Sequence, residues 1–219
     1  MRKQIGNLSC LVREGNNEDW NIVLLHGFGA DASDLYPLAD FLDPDENWNI
    51  YFPDAPLEVP IGPHMMGRGW FPISVRDLET GVDFTKVRPP GLDKSAEAVS
   101  SLLFELNSKK LILGGFSQGA MISMEVALES PQDVNGLIIL SGAMLDEENW
   151  TKKAPGLKSV KILQAHGQRD QVLPFAVSQR LNEMLKKGGA EIDWIPFGGG
   201  HEIPMPVLLK ARQFIENLG

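Results

Sequence analysis

Short, almost uninterrupted apolar runs recur along the chain and alternate with longer stretches in which apolar residues return every three or four positions. The runs are "NIVLLHG" from Asn21, "WNIYFPD" from Trp48, "KLILGG" from Lys110, "VNGLIILSG" from Val134, "VKILQAHG" from Val160 and "EIDWIPFGGG" from Glu191. Both alternate positions are apolar in each, which predicts strands buried on two faces, as in a mainly parallel sheet. "LSCLVR", near the start, alternates more regularly and predicts an antiparallel edge strand. Helical spacing appears at Leu92, Ala96, Val99, Leu103 and Leu106, with Lys94, Glu97 and Ser101 on the other side. Similar periods run over residues 174–187, with Pro174 in the first turn and Gly188-Gly189 as the stop, and over residues 206–218. "AMISMEVALES", from Ala120, is apolar nearly all round and predicts a buried helix. Strand and helix in alternation imply a doubly wound α/β fold, and 219 residues fit a single domain over 1–219.

Residues 54–90 break this alternation. The segment is rich in Pro and Gly, "DAPLEVPIGPHMMGRGWFPIS" and onward, and exceeds the few residues that usually join elements. Met65, Met66, Trp70 and Phe71 are too large and apolar for a disordered stretch. The reading is a long ordered loop excursion over one end of the sheet, shaping a pocket.

Charge and composition narrow the function. Acidic residues outnumber basic ones by 29 to 20, the net charge is -9 and no Lys/Arg cluster appears, which argues against a nucleic-acid partner. The basic start is interrupted before an apolar core forms and no run approaches the roughly 20 apolar residues of a span, so neither signal peptide nor integral membrane association is expected. The lone Cys10 has no internal disulfide partner and reads as a small buried residue, consistent with a cytoplasmic protein.

Candidate chemistry centres on "LILGGFSQGAMIS". Gly115-Phe116-Ser117-Gln118-Gly119 is a G-x-S-x-G sequence after a predicted strand and before a predicted helix, the context of a nucleophile elbow. Glycines on both sides fit backbones that crowd the turn. A serine hydroxyl needs a base and a group to orient that base. Of the four histidines, His201 in "FGGGHEIP" lies on a glycine-rich loop downstream of the serine and is the candidate base, while His26, His64 and His166 read as structural. Asp170 in "AHGQRDQVLP" is the favoured acid and Asp146 in "SGAMLDEEN" its rival; Asp193 reads as a solvated strand residue and Glu202 as poorly placed. In "LLHGFGAD" a turn after the first buried strand offers the N–H of Phe28, which with that of Gln118 would make an oxyanion hole, their side chains shaping the pocket. No histidine pair has chelating spacing, so no metal is expected.

These stretches, together with "FPDAP" and "GWFPI", resemble the phospholipase/carboxylesterase family of small α/β-hydrolases, which includes acyl-protein thioesterases. They run in the family's order from about residue 20 onward. The resemblance implies an α/β-hydrolase fold, Ser117 as nucleophile, Asp170 as acid, His201 as base and the Phe28 and Gln118 N–H groups as oxyanion hole. Trp70-Phe71-Pro72 departs from the family's Trp-Phe-Asp, and Ala120 stands where a second glycine is common. Both departures bear on the acyl pocket rather than on the serine.

The expected activity is hydrolysis of carboxylic esters with short to medium acyl chains, or of thioesters, through an acyl-enzyme and without a cofactor. Lysophospholipase and acyl-protein thioesterase activities share this machinery, and a catalytically silent binding module is the reading from a different class. Met65, Met66, Trp70 and Phe71 either line the acyl side of the substrate or belong to the core or a subunit contact. Arg68 reads as solvated, with an anionic head group as its alternative partner. The expected partner is a small-molecule ester or acyl compound, and a homodimer is left open.

Overall fold

The computed structural model of the chain describes residues 1–73 and 83–219. An eight-stranded sheet forms the middle layer, in the order β1 (Arg2–Ile5), β2 (Leu8–Arg13), β4 (Asn49–Pro53), β3 (Trp20–Leu25), β7 (Lys110–Phe116), β8 (Gly136–Leu140), β9 (Lys161–Gly167) and β10 (Glu191–Phe197). From β4 to β10 every pairing is parallel, whereas β1 and β2, and β2 and β4, pair antiparallel. "LSCLVR" is therefore antiparallel as expected but is not the edge: the polar β1, with its first three residues exposed, covers it. Cys10 is fully buried on β2, and burial pushes its thiol up to about 12.

Helices cover both faces. On one lie α1 (Ala32–Leu35), α2 (Ala39–Leu42) and α7 (Met205–Glu216), whose Leu35, Leu42, Leu208 and Phe214 pack on Ile22, Ile50, Ile112 and Leu163. On the other lie α3 (Leu92–Leu106), α4 (Gln118–Glu129), α5 (Glu147–Lys153) and α6 (Phe175–Lys187). Leu92, Val99 and Leu102 of α3 and Leu181 and Leu185 of α6 point inward, as their spacing requires. Pro174 caps α6 rather than entering its first turn. Every residue of α4 from Gln118 to Leu128 is buried, which accounts for its lack of a polar face.

The excursion over residues 54–90 contains order that its composition concealed. β5 (Leu57–Gly62) and β6 (Met65–Gly69) form an antiparallel hairpin, its turn at Pro63 and His64 and a register shift near Pro60. Trp70 and Phe71 then turn into the main core and are 0% and 5% exposed. The part of the excursion at 74–82 lies outside the described residues.

Beyond it, Arg88 joins three elements. Its guanidinium donates to Asp93 on α3, to Glu125 Oε1 on α4 at 2.7 Å and to Asp146 Oδ2 before α5 at 2.9 Å, while the indole N–H of Trp150 donates to Glu125 Oε2 at 2.6 Å. Glu125 is the buried member, its side chain 2% exposed, so its charge is tolerable only with these donors in place. Glu125→Ala leaves Arg88 with two partners and Trp150 with none, and is expected to lower unfolding free energy by about 2 kcal/mol. Urea denaturation of the two proteins measures the difference.

Candidate active site

The chain reverses its lateral direction between β3 and β7. From β3 it moves outward to β4, and by way of the hairpin and α3 it returns to β7 on the other flank of β3. Loops leaving the carboxyl ends of β3 and β7 thus diverge and leave a crevice, the usual ligand position in such sheets. Ser117 follows β7 and His26-Gly27-Phe28 follows β3.

Ser117 has φ 56° and ψ -118°, a conformation that costs a side-chain-bearing residue roughly 1–3 kcal/mol and clusters at functional turns. The turn is held from outside, since Ser117 N–H donates to Leu140 O of β8 at 2.9 Å and Ser117 O accepts from Met121 N–H at 3.2 Å. A Cβ on Gly119 would lie 2.1 Å from Leu25 O, and one on Gly115 2.6 Å from the Gly119 carbonyl carbon. Only glycine lets α4 start so close to β3 and β7. The N-terminus of α4 aims its free N–H groups and partial positive charge at the space beside Ser117.

His201 and Asp170 come from the loops after β10 and β9. These loops are joined by Gln168 N–H to Phe197 O at 2.8 Å and Arg169 N–H to Gly199 O at 3.0 Å. His201 Nε2 stands 2.9 Å from Ser117 Oγ and its Nδ1 2.7 Å from Asp170 Oδ2. Asp170 Oδ1 accepts the N–H groups of Val172 and Leu173, both at 2.8 Å. A carboxylate facing Nδ1 places the neutral ring's proton there, so Nε2 is the acceptor for the serine hydroxyl. The Phe116 ring packs against His201, with centroids 4.8 Å apart.

The loop after β3 touches this group: a Cβ on Gly27 would lie 3.4 Å from Ser117 Cβ. The hairpin fixes the loop's course. Gly29 N–H donates to Arg68 O at 2.7 Å, Arg68 N–H donates to Ala30 O at 2.9 Å, and the indole N–H of Trp70 donates to His26 O at 2.8 Å. Gln118 closes the bracket, its side-chain oxygen accepting Trp70 N–H at 2.8 Å and its amide nitrogen donating to Phe71 O at 2.7 Å.

Several expectations change here. The Gln118 side chain is buried in this clamp and does not shape a pocket. Trp70 and Phe71 are core residues, so of the four apolar residues proposed for the acyl side only Met65 and Met66, each 59% exposed on the hairpin, face solvent. Phe28 is partly exposed and its ring rests against Gly69. Asp146 is occupied by Arg88 and Asn149, away from His201. Asp193 is exposed, Glu202 accepts Gly200 N–H at 3.2 Å and Arg68 stands 3.7 Å from Glu58. Neither the clamp nor the hairpin is legible in the sequence; the trace of them is the presence of Met65, Met66, Trp70 and Phe71 in a Pro- and Gly-rich segment.

His26 and His166 are buried, as structural histidines are. His26 Nδ1–H donates to Gly27 O at 2.7 Å and Nε2 accepts Ala55 N–H at 3.0 Å, tying the loops after β3 and β4. His166 lies at the end of β9 beside Asp170. Among the described residues no three His, Cys, Asp or Glu side chains gather as a metal-binding group, and no helix is long and apolar enough to cross a membrane.

The family model described as phospholipase/carboxylesterase matches residues 9–218. The chain belongs to the phospholipase/carboxylesterase family, has the α/β-hydrolase fold and is a hydrolase of carboxylesterase or thioesterase type. It is similar to acyl-protein thioesterase 1 of Debaryomyces hansenii, at 29% identity over 216 residues and 90% of each chain. The protein of that name from Mycosarcoma maydis is 28% identical over 192 residues, covering 80% of this chain and 78% of the relative. Among solved structures, esterase PE8 superposes with a TM-score of 0.83 at 27% identity, over 97% of this chain and 99% of that one. A carboxylesterase from Mesorhizobium loti shares the fold with a TM-score of 0.77 at 21% identity, over 95% and 94% of the two chains.

Burial lowers the proton affinity of both His26 and His166 below the ordinary histidine value of 6.5. The unfolded chain therefore takes up protons first on acidification, so stability present at pH 7 is lost as pH falls through about 6.5 toward the folded-state values. Urea midpoints should fall between about pH 7 and 5.5, and His26→Asn should flatten part of that slope.

Proposed function

We propose that Ser117, His201 and Asp170 carry out two-step hydrolysis of carboxylic esters with short to medium acyl chains, or of thioesters. The observation that carries this reading is the continuous hydrogen-bonded chain from Ser117 Oγ through both nitrogens of His201 to Asp170 Oδ2, beside the N-terminus of α4. In the first step Ser117 Oγ attacks the acyl carbonyl and His201 Nε2 accepts its proton. The carbonyl oxygen becomes an oxyanion, met by the backbone N–H groups of Phe28 and Gln118. Collapse breaks the bond to the leaving alcohol or thiol, which takes its proton from His201. Water, deprotonated by His201, then attacks the acyl-Ser117 ester; the bond to Ser117 Oγ breaks, the oxygen takes the proton back from His201, and the acid is freed. Asp170 keeps its charge throughout and stabilises the imidazolium.

The apolar side chains of Met65 and Met66 border the acyl portion of a small-molecule ester, with Phe28 beside them. The relatives named acyl-protein thioesterase favour including thioesters in the substrate class. No step calls for a metal or organic cofactor, and residues 1–219 act as one unit.

A series of nitrophenyl esters from short to long acyl chains tests the reading, with Ser117→Ala as blank. The wild-type rate should exceed that of the variant by about ten thousandfold or more, and a fluorophosphonate should label Ser117 alone. The rate should fall on acidification, because protonated His201 cannot accept the serine proton. A rate that survives Ser117→Ala, or one flat with pH, would sink the assignment.

A further inference from the structure

No step above uses His166, yet its ring lies against the group that orients the base. Its side chain and that of Asp170 are both fully buried. His166 Nε2 is 2.8 Å from Leu173 O and 3.3 Å from Asp170 Oδ2. That oxygen is the one that accepts His201 Nδ1–H at 2.7 Å.

Both neighbours of His166 Nε2 are acceptors. A bare lone pair there would face two oxygens with both side chains fully buried, so the ring's proton resides on Nε2. Nδ1 makes no hydrogen bond of good geometry among the described residues, so the short contact of Nε2 with Leu173 O decides where the proton sits. Desolvation keeps the ring neutral against the opposing pull of Leu173 O, the Asp170 carboxylate and the Gly142 backbone, and the nearby His201 acts in the same sense as desolvation.

We infer that His166 is a positioning residue for the acid of the proposed triad, an inference that rests on the assignment of Ser117, His201 and Asp170 above. A carboxylate has about four acceptor positions. At Asp170 three are filled, two by the N–H groups of Val172 and Leu173 and one by His201, while His166 donates Nε2–H to Leu173 O and so brings the positive end of that bond within 3.3 Å of Oδ2. The carboxylate is thereby fixed in rotation, and His166 shares with His201 the charge on Oδ2. Other charged groups on these two loops are turned elsewhere: Glu202 accepts Gly200 N–H, and the Arg169 guanidinium donates to Gly198 O.

His166→Phe keeps an aromatic ring and removes the N–H. Its kcat should drop about tenfold with KM nearly unchanged, since the Leu173 carbonyl loses its tether and the carboxylate holds the His201 ring less well in line with Ser117 Oγ. The acid limb of kcat/KM should move to higher pH by about half a unit, because a carboxylate without the positive end of the His166 N–H beside Oδ2 holds the imidazolium more strongly. His166→Gln, whose side-chain N–H reaches a similar point, should restore both properties. A merely structural His166 would change melting temperature and leave the pH limb in place.

The wild-type protein supplies a reading independent of any variant. Nitrogen-15 spectra correlating the ring nitrogens with carbon-bound protons should show His166 protonated on Nε2, and a proton on Nδ1 overturns the inference whether or not His166→Phe folds. Fluorophosphonate labelling of wild-type Ser117 separates the two levels of failure. An unlabelled Ser117 removes the triad assignment itself, whereas a labelled one with a His166→Phe profile matching wild type removes only the role of His166.

Discussion

The close crossing of α4 over the end of β3 is the contact on which the site depends. Gly119 stands against the carbonyls of Leu25 and His26, and Gly115 against Gly119, at distances that admit no Cβ. The approach forces the chain to turn from β7 into α4 within one residue, which gives Ser117 its positive φ. Strain of this kind persists only where the surroundings over-determine it. Here the bond from Ser117 N–H to Leu140 O, the fully buried α4 and the Glu125 network behind it supply that determination.

Because the crossing brings Gln118 next to the loop after β3, the same residue can serve both sides of the site. Its N–H belongs to the helix terminus, and its side chain holds Trp70 and Phe71. Trp70 in turn holds His26 O, and Arg68 holds the backbone at Gly29 and Ala30. The β5–β6 hairpin therefore works as a bracket for the Gly27–Ala30 turn. Ser95 on α3 donates to Trp70 O, so the bracket is also fastened to the helix layer. A turn with glycine at Gly27 and Gly29 would sample many conformations unaided; these bonds select one.

Legibility in the sequence follows the range of the interactions. Five of the six apolar runs form buried parallel strands, legible with α3 because uniform burial and helical spacing are written locally, whereas "EIDWIPF" forms β10, the other edge of the sheet, and has no buried residue. Ser117 and its glycines were readable because the elbow's steric demand falls within five residues. Asp170 and Asp146 could not be separated from composition alone: both follow strands, and what divides them is that Arg88, far away in the chain, occupies one of them. The hairpin was hidden by its Pro and Gly content, which reads as loop although Met65–Gly69 pairs along its length. Trp70 and Phe71 stay open in the sequence for the opposite reason: aromatic residues in a loop suit a pocket wall and a core equally, and the Gln118 clamp with their burial decides for the core.

Much of the polar framework around Ser117 is backbone. Val172 and Leu173 N–H hold the carboxylate, Leu140 O holds the elbow, and Arg68 holds the turn after β3 by its peptide groups. Such bonds depend on the path of the chain more than on side-chain identity. The side chains free of this framework are the exposed ones, those of Met65, Met66, Ile61 and Val172 among them. None of these side chains supports Ser117, His201 or Asp170 by a hydrogen bond, so their substitution changes the surface without disturbing the polar chain. The constraint on chemistry and the latitude in surface thus reside in different atoms of the same loops: Val172 gives its N–H to Asp170 and turns its side chain to solvent.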